Sequence, residues 1–242
     1  MVVSLQLAGN GYAQGFANLG FETTTITPVV FPGGTRYTAT VPGWTWTPSG
    51  NGVNGDPNSV GFNEYALDSP AVSLEGTDSS IAPAIQGNYS ILLQGGSQFY
   101  PQQGGGASVF QTGLIPVAAR SLIYFGGTGL FYSGGAGLQV TFNGQSLSPV
   151  ALASAPSYTR WGIDVSPYAG QSGELRFAVP WQSVSLLDGI QFSSGTVPEP
   201  SAISLSILGF VLVAAFTRWP KSRQPAPGER QATIRVSVSP HY

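Results

Sequence analysis

Before residue 197 no stretch of the chain places apolar residues at helical spacing over three turns, and Gly, Asn and Pro interrupt it every few residues. A helix that short and unpatterned has no face to bury, so the periodicity left to organise a core is the alternation of strands. Leu138, Val140 and Phe142 alternate with Gln139 and Thr141, and Asn143-Gly144 then supplies the positive-φ pair a tight hairpin turn prefers before Gln145 to Leu147. Leu175, Phe177 and Val179 alternate with Glu174, Arg176 and Ala178. Tyr89 to Gln94, Ser121 to Phe125, Arg160 to Val165 and Leu186 to Phe192 read as further strands of ordinary length. Several short strands with turn signals between them predict an all-β domain, a jelly-roll β-sandwich. No period between about 20 and 50 residues recurs, which argues against a solenoid or propeller.

The composition sets limits on chemistry. Of the 242 residues 42% are hydrophobic, enough for a core, while only 8% are charged. Cys is absent, so no disulfide framework and no thiolate chemistry are available. Before Val197 stand four basic residues, Arg36, Arg120, Arg160 and Arg176, against nine acidic ones. An acidic domain is a poor partner for nucleic acid. Five of the acids, Asp56, Glu64, Asp68, Glu75 and Asp78, fall in a stretch dense in Gly, Asn, Ser and Pro that reads as a long loop region of solvated turns or a ligand site.

The end of the chain is organised differently. Val197-Pro198-Glu199-Pro200 precedes an uncharged apolar run from Ala202 to Thr217, followed by Arg218, Lys221 and Arg223. Pro198 and Pro200 lack N–H donors and fix φ, so the backbone around Glu199 is expected to be extended. At about 1.5 Å per residue the run from 202 to 217 reaches about 24 Å as a helix, near the thickness of a hydrocarbon core. Trp219 stands where an interfacial aromatic would sit, and the basic cluster predicts a cytoplasmic C-terminus with residues 1 to 200 outside. The bland readings are a buried core helix and a Pro-rich linker. In the order Pro-Glu-Pro, apolar span, basic cluster, the tail resembles the PEP-CTERM sorting signal of exported bacterial proteins. The resemblance implies an exosortase-type processing enzyme as partner, passage through the inner membrane, and release to the cell surface or to extracellular polysaccharide. The expected organisation is a signal-peptide remnant over 1–15, a β-sandwich over 16–195, a sorting signal over 196–223 with a transmembrane helix at 202–217, and a disordered tail over 224–242.

Three short segments carry a second resemblance. Asn18-Leu-Gly-Phe-Glu22, Val41-Pro-Gly-Trp44 and Leu187-Asp-Gly-Ile-Gln-Phe192 are similar to segments of the galactose-binding-like jelly rolls found in carbohydrate-binding modules and in many PEP-CTERM proteins. That resemblance implies neighbouring first and last strands, with Glu22 and Asp188 helping to hold a structural calcium ion. Independently, Asp188 shares strand parity with Ile190 and Phe192, which puts its carboxylate on the apolar face, where an unpaired charge is costly. A hard cation, an Arg, turn amides or a wet strand end would each satisfy it.

Enzyme signatures are sparse. The single His is His241 and the single Lys is Lys221, so the region before the tail has no His or Cys nucleophile system, no Lys base and no His-ligated zinc site. A pair of carboxylates acting on a glycosidic bond needs none of these, and Glu64, Glu75 and Asp78 are its candidates. Aromatic residues offer another route to sugars: Trp44 and Trp46, two apart, share a strand face, with Trp161, Trp181, Phe99 and Tyr100 elsewhere. Trp44 and Trp161 read as core, and Trp46, Trp181 and Tyr100 as exposed stacking candidates. The expectation is a non-catalytic exported surface or matrix protein; a carbohydrate-binding module is the alternative, and a glycoside hydrolase would require two acids converging in a cleft.

Overall fold

A computed structural model of the chain describes residues 15–48, 56–66, 69–96, 106–127 and 137–197. The expected span at 202–217, the basic cluster Arg218, Lys221 and Arg223, Pro198, Glu199, Pro200 and Tyr100 lie outside the described residues. Strands β1 (Thr25–Phe31), β2 (Gly34–Thr40), β4 (Val60–Phe62), β5 (Pro70–Gly76), β6 (Tyr89–Gly95), β8 (Ser121–Gly127), β11 (Val150–Ser154), β12 (Tyr158–Asp164) and β14 (Val184–Ser193) form one sheet in the order β1-β2-β4-β5-β6-β14-β8-β12-β11. A second sheet has the order β10-β9-β13-β7-β3, built from β3 (Thr45–Thr47), β7 (Ala107–Leu114), β9 (Gln139–Phe142), β10 (Gln145–Leu147) and β13 (Ser172–Val179). The strand pairs are antiparallel except β4 with β5. The arrangement is all-β and sandwich-like, as the alternation predicts.

One apolar cluster takes residues from both sheets: Val72, Leu74, Ile91, Leu93, Leu122 and Tyr124 from the larger, Trp46, Val109, Val140, Phe142, Leu175 and Phe177 from the smaller. Its centre is aromatic. The Phe177 ring meets Tyr124 edge-on at 5.4 Å and Trp44 at 6.4 Å, and Trp44 meets Phe21 at 5.2 Å. Burying a side chain of this size contributes about 1.5–3 kcal/mol. The indole N–H of Trp44 donates to the Asn18 carbonyl at 2.9 Å, which ties the N-terminal segment to the core.

Local sequence explains the clearest hairpin. Asn143 and Gly144 have φ of 49° and 76°, joining β9 to β10 with Phe142 opposite Gln145, as the Asn-Gly pair predicts. The acid-rich stretch departs from expectation, since it contains β4 and all of β5, an interior strand buried along its whole length. Val72 and Leu74 enter the core while Ser73 and Glu75 take the other face, but this short alternation lies among the Gly, Asn, Ser and Pro that read as loop.

The second departure concerns β14. Its register against β8 slips between Asp188 and Gln191, which lie opposite Phe125 and Ile123, and Gly189 sits there at φ 54°. The extra residue is a β-bulge, and it reverses side-chain parity. Leu187 and Ile190 therefore both enter the inter-sheet core, while Val184 and Leu186 join a second cluster with Leu92 and Ala82 on the other face. Asp188 shares the face of Leu186, not that of Ile190 as simple alternation implies, and it is nonetheless 1% exposed. A Cβ at residue 189 would collide with the Phe125 ring as well as straining the backbone. Gly189→Ala is expected to lower unfolding free energy by about 1–3 kcal/mol in urea titrations, with the denaturant slope unchanged.

Candidate functional site

The outer cluster of Leu92, Val184 and Leu186 is covered by the coil of residues 77–88, through Ala82, Ile81 and Ile85. A coil has no ladder to hold it, and here three carboxylates do so. Glu75 is wholly buried and accepts hydroxyl donors from Ser73 and from Ser79 of the coil, each at 2.6 Å. Asp188 accepts the Gln86 N–H at 2.8 Å and the Ser90 hydroxyl at 2.7 Å on one oxygen, and the Gly189 N–H at 2.6 Å on the other. Glu22, from the N-terminal segment, accepts the Asn88 N–H at 2.9 Å and the Asn88 side-chain amide at 3.0 Å. Gly87, between these anchors, has φ 63°, and a Cβ there would strike the Glu22 carboxylate.

Burial dominates the titration of the two deepest groups. It pushes Glu75 up to about 7 against the opposing pull of the Ser73 and Ser79 hydrogen bonds. It pushes Asp188 up to about 6, with the neighbouring charge of Glu22 adding to the rise and the hydrogen bonds from Ser90, Gln86 and Gly189 opposing it.

The sequence reading assigned Glu22 and Asp188 to a calcium ion, and the structure does bring both onto one coil. Their four oxygens are met by N–H and O–H donors of the coil and its neighbours. Among the described residues no group of three or more His, Cys, Asp or Glu side chains is arranged to hold a metal. Turn amides and a serine hydroxyl thus give Asp188 partners without a cation.

The aromatic candidates separate. Trp46 is 6% exposed and belongs to the core, a correction to its expected exposure. Its strand β3 pairs with β7, Trp46 opposite Val109, and β3 alternates so that Thr45 and Thr47 face out while Trp46 faces in. Trp181 is exposed at 40%, as expected, and Trp161 is half-buried against the core.

Two of the three acidic candidates converge elsewhere. An open groove of about 540 Å³ beside β2 and β4 is lined by Arg36, Tyr37, Phe62, Asn63, Glu64 and Asp78, whereas Glu75 lies buried under the coil. Asn63, at φ 51°, accepts the Gly76 N–H at 2.7 Å and donates its amide to Asp78 at 3.0 Å. Arg36 stands 4.0 Å from Glu64, an exposed pairing worth little by itself. Partial burial raises the Glu64 pKa, and Arg36 opposes that rise. Arg36, Tyr37, Phe62 and Asn63 were not singled out in the sequence. The readable signal was the turn Pro32-Gly33 between two Thr- and Val-rich runs, which would have placed Arg36 and Tyr37 on a hairpin strand.

No protein-family model, curated protein or solved structure matches the chain.

The two buried acids predict contrasting variants. Their folded pKa values lie above the ordinary carboxyl values of 4.5 and 3.8, so the folded protein holds more protons than the unfolded chain between about pH 4 and pH 7. The cost is absent below pH 4 and complete above pH 7, so stability falls as pH rises through this window. Glu75→Gln removes its share, because serine hydroxyls can turn to accept from an amide, and should stabilise the protein by about 1–3 kcal/mol at pH 8 while flattening the profile. Asp188→Asn should destabilise it by about 1–3 kcal/mol, because backbone N–H groups cannot reverse and one would face the new amide. Thermal melts of both variants from pH 4 to pH 8 test the pair. In wild-type melts, millimolar calcium or a chelator should leave the midpoint unchanged.

Proposed function

We propose that the chain is an exported bacterial protein whose β-sandwich is delivered by a PEP-CTERM-like sorting signal and serves, without catalysis, at the cell surface or in extracellular polysaccharide. The observation that carries the reading is the position of the motif. The last strand closes at Ser193, four residues before Val197-Pro198-Glu199-Pro200 begins. A cut within the motif would leave every sandwich strand in place.

The galactose-binding-like jelly-roll reading is supported by two further contacts. The Ile190 N–H donates to the Leu19 carbonyl at 3.2 Å, so the two segments that carry the resemblance are neighbours. Glu22 and Asp188 anchor the same coil. Among the described residues no helix is long and apolar enough to cross a membrane, and the proposed anchor is the run at 202–217. A carbohydrate-binding module is the second reading, favoured by the mixed aromatic and polar lining of the groove.

The sorting reading is tested by intact mass and fractionation of the protein from hosts with and without an exosortase. A shorter extracellular species, lacking the apolar run, is expected only where the enzyme is present. Full-length protein in the inner membrane of both hosts would make the tail a plain anchor and remove the assignment.

A further inference from the structure

The groove beside β2 and β4 combines two kinds of surface. Tyr37 is 45% exposed, an unusual position for a large aromatic, and Phe62 is held beside it by edge-on packing against Tyr89 at 6.2 Å. Around them stand Arg36, which donates only, Glu64 and Asp78, which accept when ionised, and Asn63, which does both. Aromatic faces next to convergent donors and acceptors match the alternation of C–H faces and hydroxyl edges on a sugar ring.

The polar groups are positioned, not merely present. A Cβ on Gly61 would lie 2.8 Å from a Glu64 carboxylate oxygen, and one on Gly76 would lie 2.8 Å from an Asp78 oxygen. Of the two acids, Glu64 thus folds back over Gly61 and Asp78 over Gly76, and a side chain at either glycine would displace the acid. Asn63 fixes the second of them through its amide. One guanidinium against two carboxylates leaves the lining net acidic, which disfavours uronic acids, phosphates and sulfates.

We propose that this groove binds a neutral saccharide, with Tyr37 and Phe62 as the stacking surface and Arg36, Asn63, Glu64 and Asp78 as hydroxyl partners. The proposal rests on the reading of the domain as an exported, polysaccharide-associated module and names the site by which it would act.

The test is binding of the full chain to an array of neutral gluco-, manno-, galacto- and xylo-oligosaccharides of four to six units alongside oligogalacturonates, followed by titration of the best binder. Wild type should bind at least one neutral class and no oligogalacturonate. Tyr37→Ala should lose about tenfold in affinity with an unchanged melting temperature, because the side chain is exposed. Glu64→Gln should weaken binding severalfold, and Trp181→Ala, outside the groove, should leave it unchanged. Silence toward every neutral oligosaccharide, preference for the acidic ones, or loss with Trp181→Ala but not with Tyr37→Ala would each overturn the assignment. Because processing by an exosortase is measured separately, a failed sorting experiment with intact Tyr37-dependent binding would remove the delivery reading and leave the groove.

Discussion

The burial of Asp188 and Glu75 against hydrogen-bond donors of one coil is the constraint from which much of this domain's arrangement follows. A large sheet with apolar residues on both faces needs a second cover beyond its partner sheet, and over Leu92, Val184 and Leu186 the chain provides one without a helix or a third sheet. The coil of residues 77–88 is long enough to cover the patch but has no ladder of its own. Carboxylates suit the task because each can take several donors at once, and a charged acceptor makes stronger hydrogen bonds than a neutral one. The cost is desolvation, visible in the raised pKa values of both groups. The same anchoring extends to the groove, since Asp78 begins the coil that Ser79 fastens to Glu75.

The low charge of the chain takes on meaning in this setting. Of the nine acids before Val197, Glu22, Glu75 and Asp188 hold the coil and Glu64 and Asp78 line the groove. Of the other four, Asp68 lies outside the described residues, Asp56 and Asp164 accept N–H groups two residues on, and Glu174 pairs with Arg176. That distribution differs from a typical soluble domain, where acids mainly keep the surface wet. Here local position decides the role: hydroxyls and amides surround the buried acids, and glycines lie beneath the groove acids.

Where side chains alternate cleanly, the sequence was sufficient. The strands at Arg160, Gln139 and Ser172, and the Asn143-Gly144 turn, follow from period-two patterning and turn chemistry, and those at Tyr89 and Ser121 from apolar runs of strand length. At β5 the alternation of Val72 and Leu74 with Ser73 and Glu75 is only four residues long and is hidden among turn-forming neighbours. Patterning failed at Asp188, because one glycine at positive φ reverses parity; the isolated Gly189 inside a strand is the signal that points to the bulge. The aromatic site was misplaced for a related reason: spacing put Trp44 and Trp46 on one face, and the pairing of β3 with β7 turned that face inward. The groove depends on residues from β2, β4 and the 77–88 coil, a meeting that only the long-range strand order determines.

The place of β14 in the larger sheet has a mechanical consequence. It lies in the interior of that sheet, antiparallel to β6 on one side and β8 on the other, and the chain leaves it four residues before Val197. A pull transmitted from the C-terminal side runs along this strand and loads in shear the ladder with β8, which reaches Ser193, and behind it the ladder with β6 over Val184 to Leu187. The Ser121 hydroxyl bonded to the Gly195 carbonyl at 2.7 Å, with the Arg120 N–H on the Ser193 carbonyl at 2.8 Å, clamps the exit point against fraying. Were the domain tethered by its C-terminal side, as proposed, tension would enter at this clamped end.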